Sequence, residues 1–259
     1  MSENVLVSAA AGVLEIRFNR ADKKNAFTMP MYQAIVAGLR QAESDPAIRV
    51  ILFSAEGSAF SAGNDLQDFM SNPPDLGDGP DAGPVMQFMR ALSGARKVVV
   101  AAVQGPAVGV GATLLLHCDL VLAAEDARLS LPFINLGLVP EFASTLLLPQ
   151  RLGYHRAAEL AMLGEPVDAA TALRLGLVNR VLPAAELAEG ARALARKLAA
   201  KAPEALLLTK QLLKSGAPDV QGRIVEEAGH FARRLHSGEF REAATAFFEK
   251  RPPDFSGLL

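Results

Sequence analysis

Cysteine is nearly absent: Cys118 is the only one in 259 residues. No intrachain disulfide can form, and a reducing compartment is the expectation. Neither sign of charge dominates, since 26 basic residues stand against 28 acidic ones. A nucleic-acid-binding face would need clustered Lys and Arg, so that class of partner is not expected. The amino-terminal stretch carries Glu3 and no early Lys or Arg, which does not make a signal peptide. The carboxyl-terminal Ser256-Gly-Leu-Leu carries no lipidation or address motif. His117, His155, His230 and His236 fall in no metal-ligand spacing, and neither a phosphate-binding P-loop nor a dinucleotide fingerprint occurs. One long uncharged run exists, residues 98–116. Gln104-Gly105-Pro106 interrupts it and Gly109 and Gly111 follow, which argues against one membrane-spanning helix. A cytoplasmic, soluble, enzyme-sized protein without metal or membrane partner is the resulting expectation.

What the chain does hold is organised around residues 97–125, KVVVAAVQGPAVGVGATLLLHCDLVLAAE. A β-branched strand runs into a glycine turn, a helical segment over 112–117 and a second apolar strand over 119–124. The amides at such a helix start have no partner within the helix and suit an anion, or an oxygen that becomes anionic during a reaction. A purely structural turn fits the same residues. Before it come a hairpin (5–7 and 14–18), a basic turn NRADKKNAF, a helix over 31–44, a strand over 50–54 and a small-residue loop EGSAFSAGND. Residues 71–84 are dense in Pro, Gly and Asp and read as a mobile surface loop. A helix over 85–95 follows. Beyond 125 come a strand over 127–131, a loop over 132–140, a helical segment from just after Glu141 to near Gly153, helices over 154–163 and 168–175, and a strand over 177–182. From Ala184 onward the pattern is helical, broken near 202, 216–218 and 237. Strand–strand–helix units recur about four times, as in a coiled stack of ββα turns. The composition shift suggests a spiral core, residues 1–199, and a helical module, residues 200–259.

Two small-residue loops after apolar strands, FSAGNDL and GPAVGVG, stand at a separation that carries information. With FNRADKKNAF, the TLL after GPAVG, and LPFINLG followed by PE, they resemble the enoyl-CoA hydratase/isomerase (crotonase) superfamily over essentially the whole chain. Within it they look like the peroxisomal-type Δ3,Δ2-enoyl-CoA isomerase branch. The resemblance implies an α/β crotonase-type spiral of ββα units with a helical C-terminal module. It also implies an acyl-CoA substrate, with coenzyme A part of that substrate and no separate cofactor, and a homotrimer or dimer of trimers. It implies that the spiral core, residues 1–199, holds the CoA and acyl-thioester site, and it assigns two backbone donors to the thioester oxygen, on Ala62 and Val110. Ser61, Gly63, Asn64, Asp65 and Leu66 of the first loop and Phe133 are implied to contact the substrate. Lys23, Lys24 and Lys250, with its neighbour Arg251, are implied to reach coenzyme A; on residues alone they read equally as solvated charge.

Family hydratases hold water between two glutamates, and the matching positions here are Thr113 and Phe133. A third position, in LGLVPEFAST, carries Glu141, a placement that looks like that of the Δ3,Δ2-enoyl-CoA isomerases. By residues alone Glu141 is an acid at a helix start. The resemblance makes it the single proton shuttle of an isomerase, moving a proton from C2 to C4 while the oxygen is held as a dienolate. Enoyl-CoA hydratase and a non-catalytic acyl-CoA-binding or interaction module are the competing readings. The loop over 71–84 is expected to border the acyl end of the pocket.

Overall fold

The computed structural model describes residues 3–77, 79, 82–216 and 219–256. Strands β1 (Val5–Ala10) and β2 (Val13–Phe18) form an antiparallel hairpin. Ala11 and Gly12 join them, both at positive φ (50° and 77°), the backbone a two-residue hairpin turn needs. Helix α1 (Met29–Ser44) and strand β3 (Val50–Ala55) follow, then α2 (Leu66–Ser71) and α3 (Pro84–Ser93). The central stretch becomes β4 (Val98–Val103), β5 (Pro106–Val108), α4 (Val110–Thr113), a 3-10 turn over Leu114–His117, β6 (Leu120–Ala124) and β7 (Arg128–Ser130). Next come α5 (Ser144–Leu152), α6 (Tyr154–Leu163), β8 (Val167–Asp168), α7 (Ala169–Arg174), β9 (Arg180–Leu182) and α8 (Ala184–Ala199). Helices α9 (Pro203–Lys214), α10 (Val220–Leu235) and α11 (Gly238–Glu249) end the chain.

The strands make two sheets. One runs β1-β2-β3-β4-β6-β9, parallel except at the hairpin, and the other runs β5-β7-β8. Strands β4 and β6 of the large sheet each lead directly into a strand of the small one, β5 and β7. After β3 a single bridge, Ser61 to Ala107, takes the place of such a second strand. That repetition is the coiled ββα stack, and it brings the loops after β3 and β4 side by side. Strands β5 and β8 were not foreseen, because β5 pairs with β7 some twenty residues on and no local pattern reveals that partner. The expected helix over 112–117 is a single α turn followed by 3-10 geometry, and the expected strand over 177–182 keeps only its last three residues.

Both faces of the large sheet are covered, which explains the unbroken apolar runs of β3 and β4. Helix α8 covers one face through Leu187, Ala191, Ala195 and Ala199, a stripe with four-residue spacing. The other face meets α1, which packs on α3, and α3 in turn meets α10. Ile224, Ala228 and Phe231 of α10 and Phe240 of α11 belong to that larger core. Helix α9 is anchored by Lys210, whose ammonium donates to Lys97 O at 2.7 Å and pairs with Asp119 at 2.6 Å. The loop expected over 71–84 begins at the last residue of α2 and ends at the first of α3; residues 78, 80 and 81 lie outside the described residues. Among the described residues no helix is long and apolar enough to cross a membrane.

Candidate active site

The loop after β3 is held by backbone pairing to the basic turn. Phe27 N–H donates to Gly63 O and Asp65 N–H to Phe27 O, both at 2.8 Å. Asn25, fully buried at φ 54°, is the hub of this contact. Its side-chain amide donates to Glu56 O and Ala59 O, its Oδ1 accepts from Arg20 N–H, and its carbonyl accepts from Ser61 Oγ. Ser61 Oγ also accepts from Gly63 N–H at 3.1 Å. Asp65 closes the loop: it caps α2 by accepting from Gln67 and Asp68 N–H and pairs with Arg20 at 2.7 Å. Partial burial works against ionisation of Asp65, yet the Arg20 guanidinium and the amides outweigh it and hold the carboxyl below its usual range.

This pairing decides which amides remain. Ala62 N–H, the expected first oxyanion donor, donates to Lys24 O at 2.8 Å and is not free. The flanking bonds of Phe27 and Asp65 make Asn64 the bridge residue. Among the described residues, Asn64 N–H has no protein acceptor. The free amide of this loop is therefore that of Asn64, two residues on, because Lys24 lies in the left-handed region (φ 50°) and turns its carbonyl onto Ala62. The Asn64 side chain is itself fixed, its Oδ1 accepting from the buried Tyr32 hydroxyl at 2.5 Å. In the second loop, Gly109 N–H donates to Ser130 O and Val108 N–H to Ser61 O. Val110 N–H, at the start of α4, has no acceptor among the described residues. The loops touch at Gly63, where a Cβ would stand 2.9 Å from Val108 O and φ is +90°.

A cavity of about 370 Å³ opens beside both loops. Of the residues named from the sequence, Ala62, Gly63, Asn64, Leu66, Val110 and Phe133 line it. Lys23, Lys24, Ser61, Asp65, Glu141 and Lys250 do not. Ser61 and Asp65 brace the loop, and Lys23, Lys24 and Lys250 are exposed. Arg251 does line the cavity, but its guanidinium is committed to Glu242 and Glu249. The far wall comes from the helical module, through Phe231 and Leu235 of α10 and Phe240, Ala243 and Phe247 of α11. The site is thus a cleft between core and module. The described residues of the 71–84 loop line none of it, whereas Leu66 and Phe69 of α2 do.

Glu141 lies outside the lined volume, 3% exposed, with Oε1 buried and unpartnered. The residues after it, Phe142 and Ala143, both take left-handed backbone (φ 63° and 54°), an uncommon state for side chains with a Cβ. His117 holds this kink. Its ring stacks on Phe142 with centroids 3.9 Å apart, and Nε2–H donates to Phe142 O at 2.8 Å, the carbonyl requiring the proton on that nitrogen. Burial lowers the His117 pKa to about 3, so the ring is neutral. Burial, then the nearby Glu227 carboxylate, raise the Glu141 pKa to about 8. The neighbouring thiol of Cys118 is pushed up to about 12 by burial and then by Asp119, and is inert as a nucleophile.

Glu227 is the functional candidate that sequence reasoning missed. It sits on α10 in the buried stripe Ile224, Glu227, Ala228, Phe231. An acid inside such a stripe was the available signal.

The profile of the family described as "Enoyl-CoA hydratase/isomerase" matches residues 8–257. The chain belongs to that family. A probable enoyl-CoA hydratase of Bacillus subtilis is 37% identical over 90% of this chain and 91% of its own. A 1,2-epoxyphenylacetyl-CoA isomerase of Escherichia coli is 36% identical over 99% of this chain and 100% of its own. The crystal structure of an enoyl-CoA hydratase/isomerase from Pseudoalteromonas atlantica superposes with a TM-score of 0.92 at 39% identity, covering 98% of this chain and 100% of that one. The α/β crotonase-type fold expected from the sequence is the fold of this family member.

Proposed function

We propose that the protein is a Δ3,Δ2-enoyl-CoA isomerase. The observation that carries this reading is one strongly perturbed, unpartnered carboxyl, Glu141, facing Tyr32, whose hydroxyl bonds Asn64 in one of two touching loops that each keep a free amide. The thioester oxygen lies between Asn64 N–H and Val110 N–H, which stabilise the dienolate as charge develops. Glu141 takes the C2 proton and returns it at C4. A carboxyl with a pKa near 8 is a far stronger base than an ordinary one, and a pKa close to the working pH suits a group that must both take a proton and return it. Because the unliganded cavity stops short of Glu141, the acyl chain must displace wall side chains to reach it. Coenzyme A is part of the substrate, and no cofactor is needed for a proton shift. The exposed Leu208, Leu212 and Leu213 on α9 support self-association, for which a trimer is the expected form.

Relatives carrying both names leave hydration as the second reading, and one observation favours it. Glu227 supplies a second buried carboxyl, although Thr113 and Phe133 stand where the family's water-holding glutamates would be. The test assays a 3-enoyl-CoA for isomerisation and a 2-enoyl-CoA for hydration side by side, with Glu141→Gln as control. Isomerisation is expected to be much the faster, and the substitution should lower it by at least about 100-fold, the size of a general-base contribution. Faster hydration would sink the isomerase reading, and near-native turnover of Glu141→Gln would remove Glu141 as the base.

A further inference from the structure

Glu227 reaches the Glu141 segment from a different part of the molecule. Its Oε1 accepts from Thr145 N–H at 2.9 Å and from the Thr145 hydroxyl. Thr145 is the second residue of α5, whose N-cap, Ala143, offers no capping side chain. Glu227 therefore performs from α10 what a local Ser or Asp performs elsewhere, satisfying an orphan amide at the helix start. The segment it caps begins with the left-handed Phe142 and Ala143 and is tied to Glu141 by the Ser144 N–H bond to Glu141 O at 3.2 Å. Arg223 NH1 donates to Thr145 Oγ1 at 3.1 Å from the same face of α10. The second carboxylate oxygen of Glu227, Oε2, is buried without a partner, as is Glu141 Oε1. A carboxylate needs only one oxygen to cap a helix, and an asparagine or serine could do so without burying a charge. Leaving the other oxygen unpaired is costly, so a cap alone does not explain a glutamate here.

We propose that Glu227 is a positioning residue for Glu141: through Thr145 it fixes the turn that aims the base, and through its free oxygen it sets the charge around it. This rests on Glu141 being the base. The titratable and charged groups about the pair come from several elements. Arg223, on α10, also pairs with Glu226 at 3.1 Å; Tyr32 faces Glu141 from α1 and is held protonated by burial and by that carboxyl; His117, after α4, is neutral. Burial raises the Glu227 carboxyl to about 7, against the pull of the Thr145 hydroxyl and amide, the Ala143 amide and, least of all, the Arg223 guanidinium. Removing the charge of Glu227 relieves like-charge repulsion on Glu141 and makes it a weaker base.

The test uses the intact protein with two substitutions. Glu227→Gln keeps an acceptor for Thr145 and discards the charge; Glu227→Ala discards both. In Glu227→Gln, the acid limb of the kcat profile should move to lower pH, while KM changes less than about threefold and thermal unfolding stays cooperative. Glu227→Ala should lose at least about tenfold in plateau kcat, and Glu227→Gln should recover most of that loss. If the alanine variant does not fold, the acid limb of the glutamine variant decides alone. An unmoved limb in Glu227→Gln, with Glu141→Gln inactive, overturns this inference and leaves the base assignment standing. Near-native turnover of Glu141→Gln overturns both.

Discussion

A buried carboxyl with a free oxygen and another carboxylate nearby prefers to hold its proton, and Glu141 does so up to a pKa of about 8 against 4.5 for the ordinary group. Two consequences have opposite signs. The base works only when ionised, so kcat/KM should rise with pH and level off above about 8. Stability moves the other way. The folded state holds this proton over a range where the unfolded chain has released it, so the stabilisation is complete below about 4.5 and is lost as pH rises through about 8. Glu141→Gln removes the titration, so it should melt higher than the parent at pH 9, with the gap closing toward pH 5. A melting difference independent of pH would show that Glu141 does not carry the buried charge described. At this scale the local motif singled out Glu141, which the structure buries with a raised pKa, but the sequence was unreadable where a distant partner decided. Asn64 rather than Ala62 keeps a free amide because Lys24 turns its carbonyl inward, and nothing within SAGND announces that bond.

Between elements, the decisive contact is the one that sets two loops at fixed spacing. Gly63 meets Val108 O so closely that a Cβ would lie 2.9 Å from a backbone oxygen, at a φ of +90° that side chains avoid. Val108 stands two residues before Val110, so any shift there reaches the second donor. Gly63→Ala should therefore lower kcat by about 100-fold, the usual loss for one oxyanion donor, with a smaller change in KM. Near-native kcat would mean that loop spacing does not control the reaction. The strands feeding these loops were legible from their apolar runs, as were α1, α3, α8 and the breaks between the last helices. Strands β5 and β8 were not, since two- and three-residue strands exist only through their partners. The helix over 112–117 was legible as helix but not as a single turn tightening to 3-10, so what this segment offers is the local Val110 amide rather than a long helix dipole.

The whole molecule places about a quarter of its cavity lining on the last two helices, so the helical module shapes the cavity as well as the fold. A reading that confines the acyl-thioester site to residues 1–199 follows the composition shift, which marks where strands end but not where surfaces meet. Phe231 shows the double duty. It is 3% exposed, belongs to the main core, and meets Phe133 edge-to-face with ring centroids 6.4 Å apart at the cavity wall. Phe231→Ala should cost about 3–5 kcal/mol in urea unfolding, as for other buried phenylalanines. The same truncation widens the cavity beside Phe133, so kcat/KM for long or bulky acyl chains should rise relative to short ones. Two measurements separate the roles. Lower stability with an altered chain-length ranking is the outcome expected of a residue shared by core and site. Lower stability with an unchanged ranking would show that the acyl group lies elsewhere and that Phe231 serves the core alone.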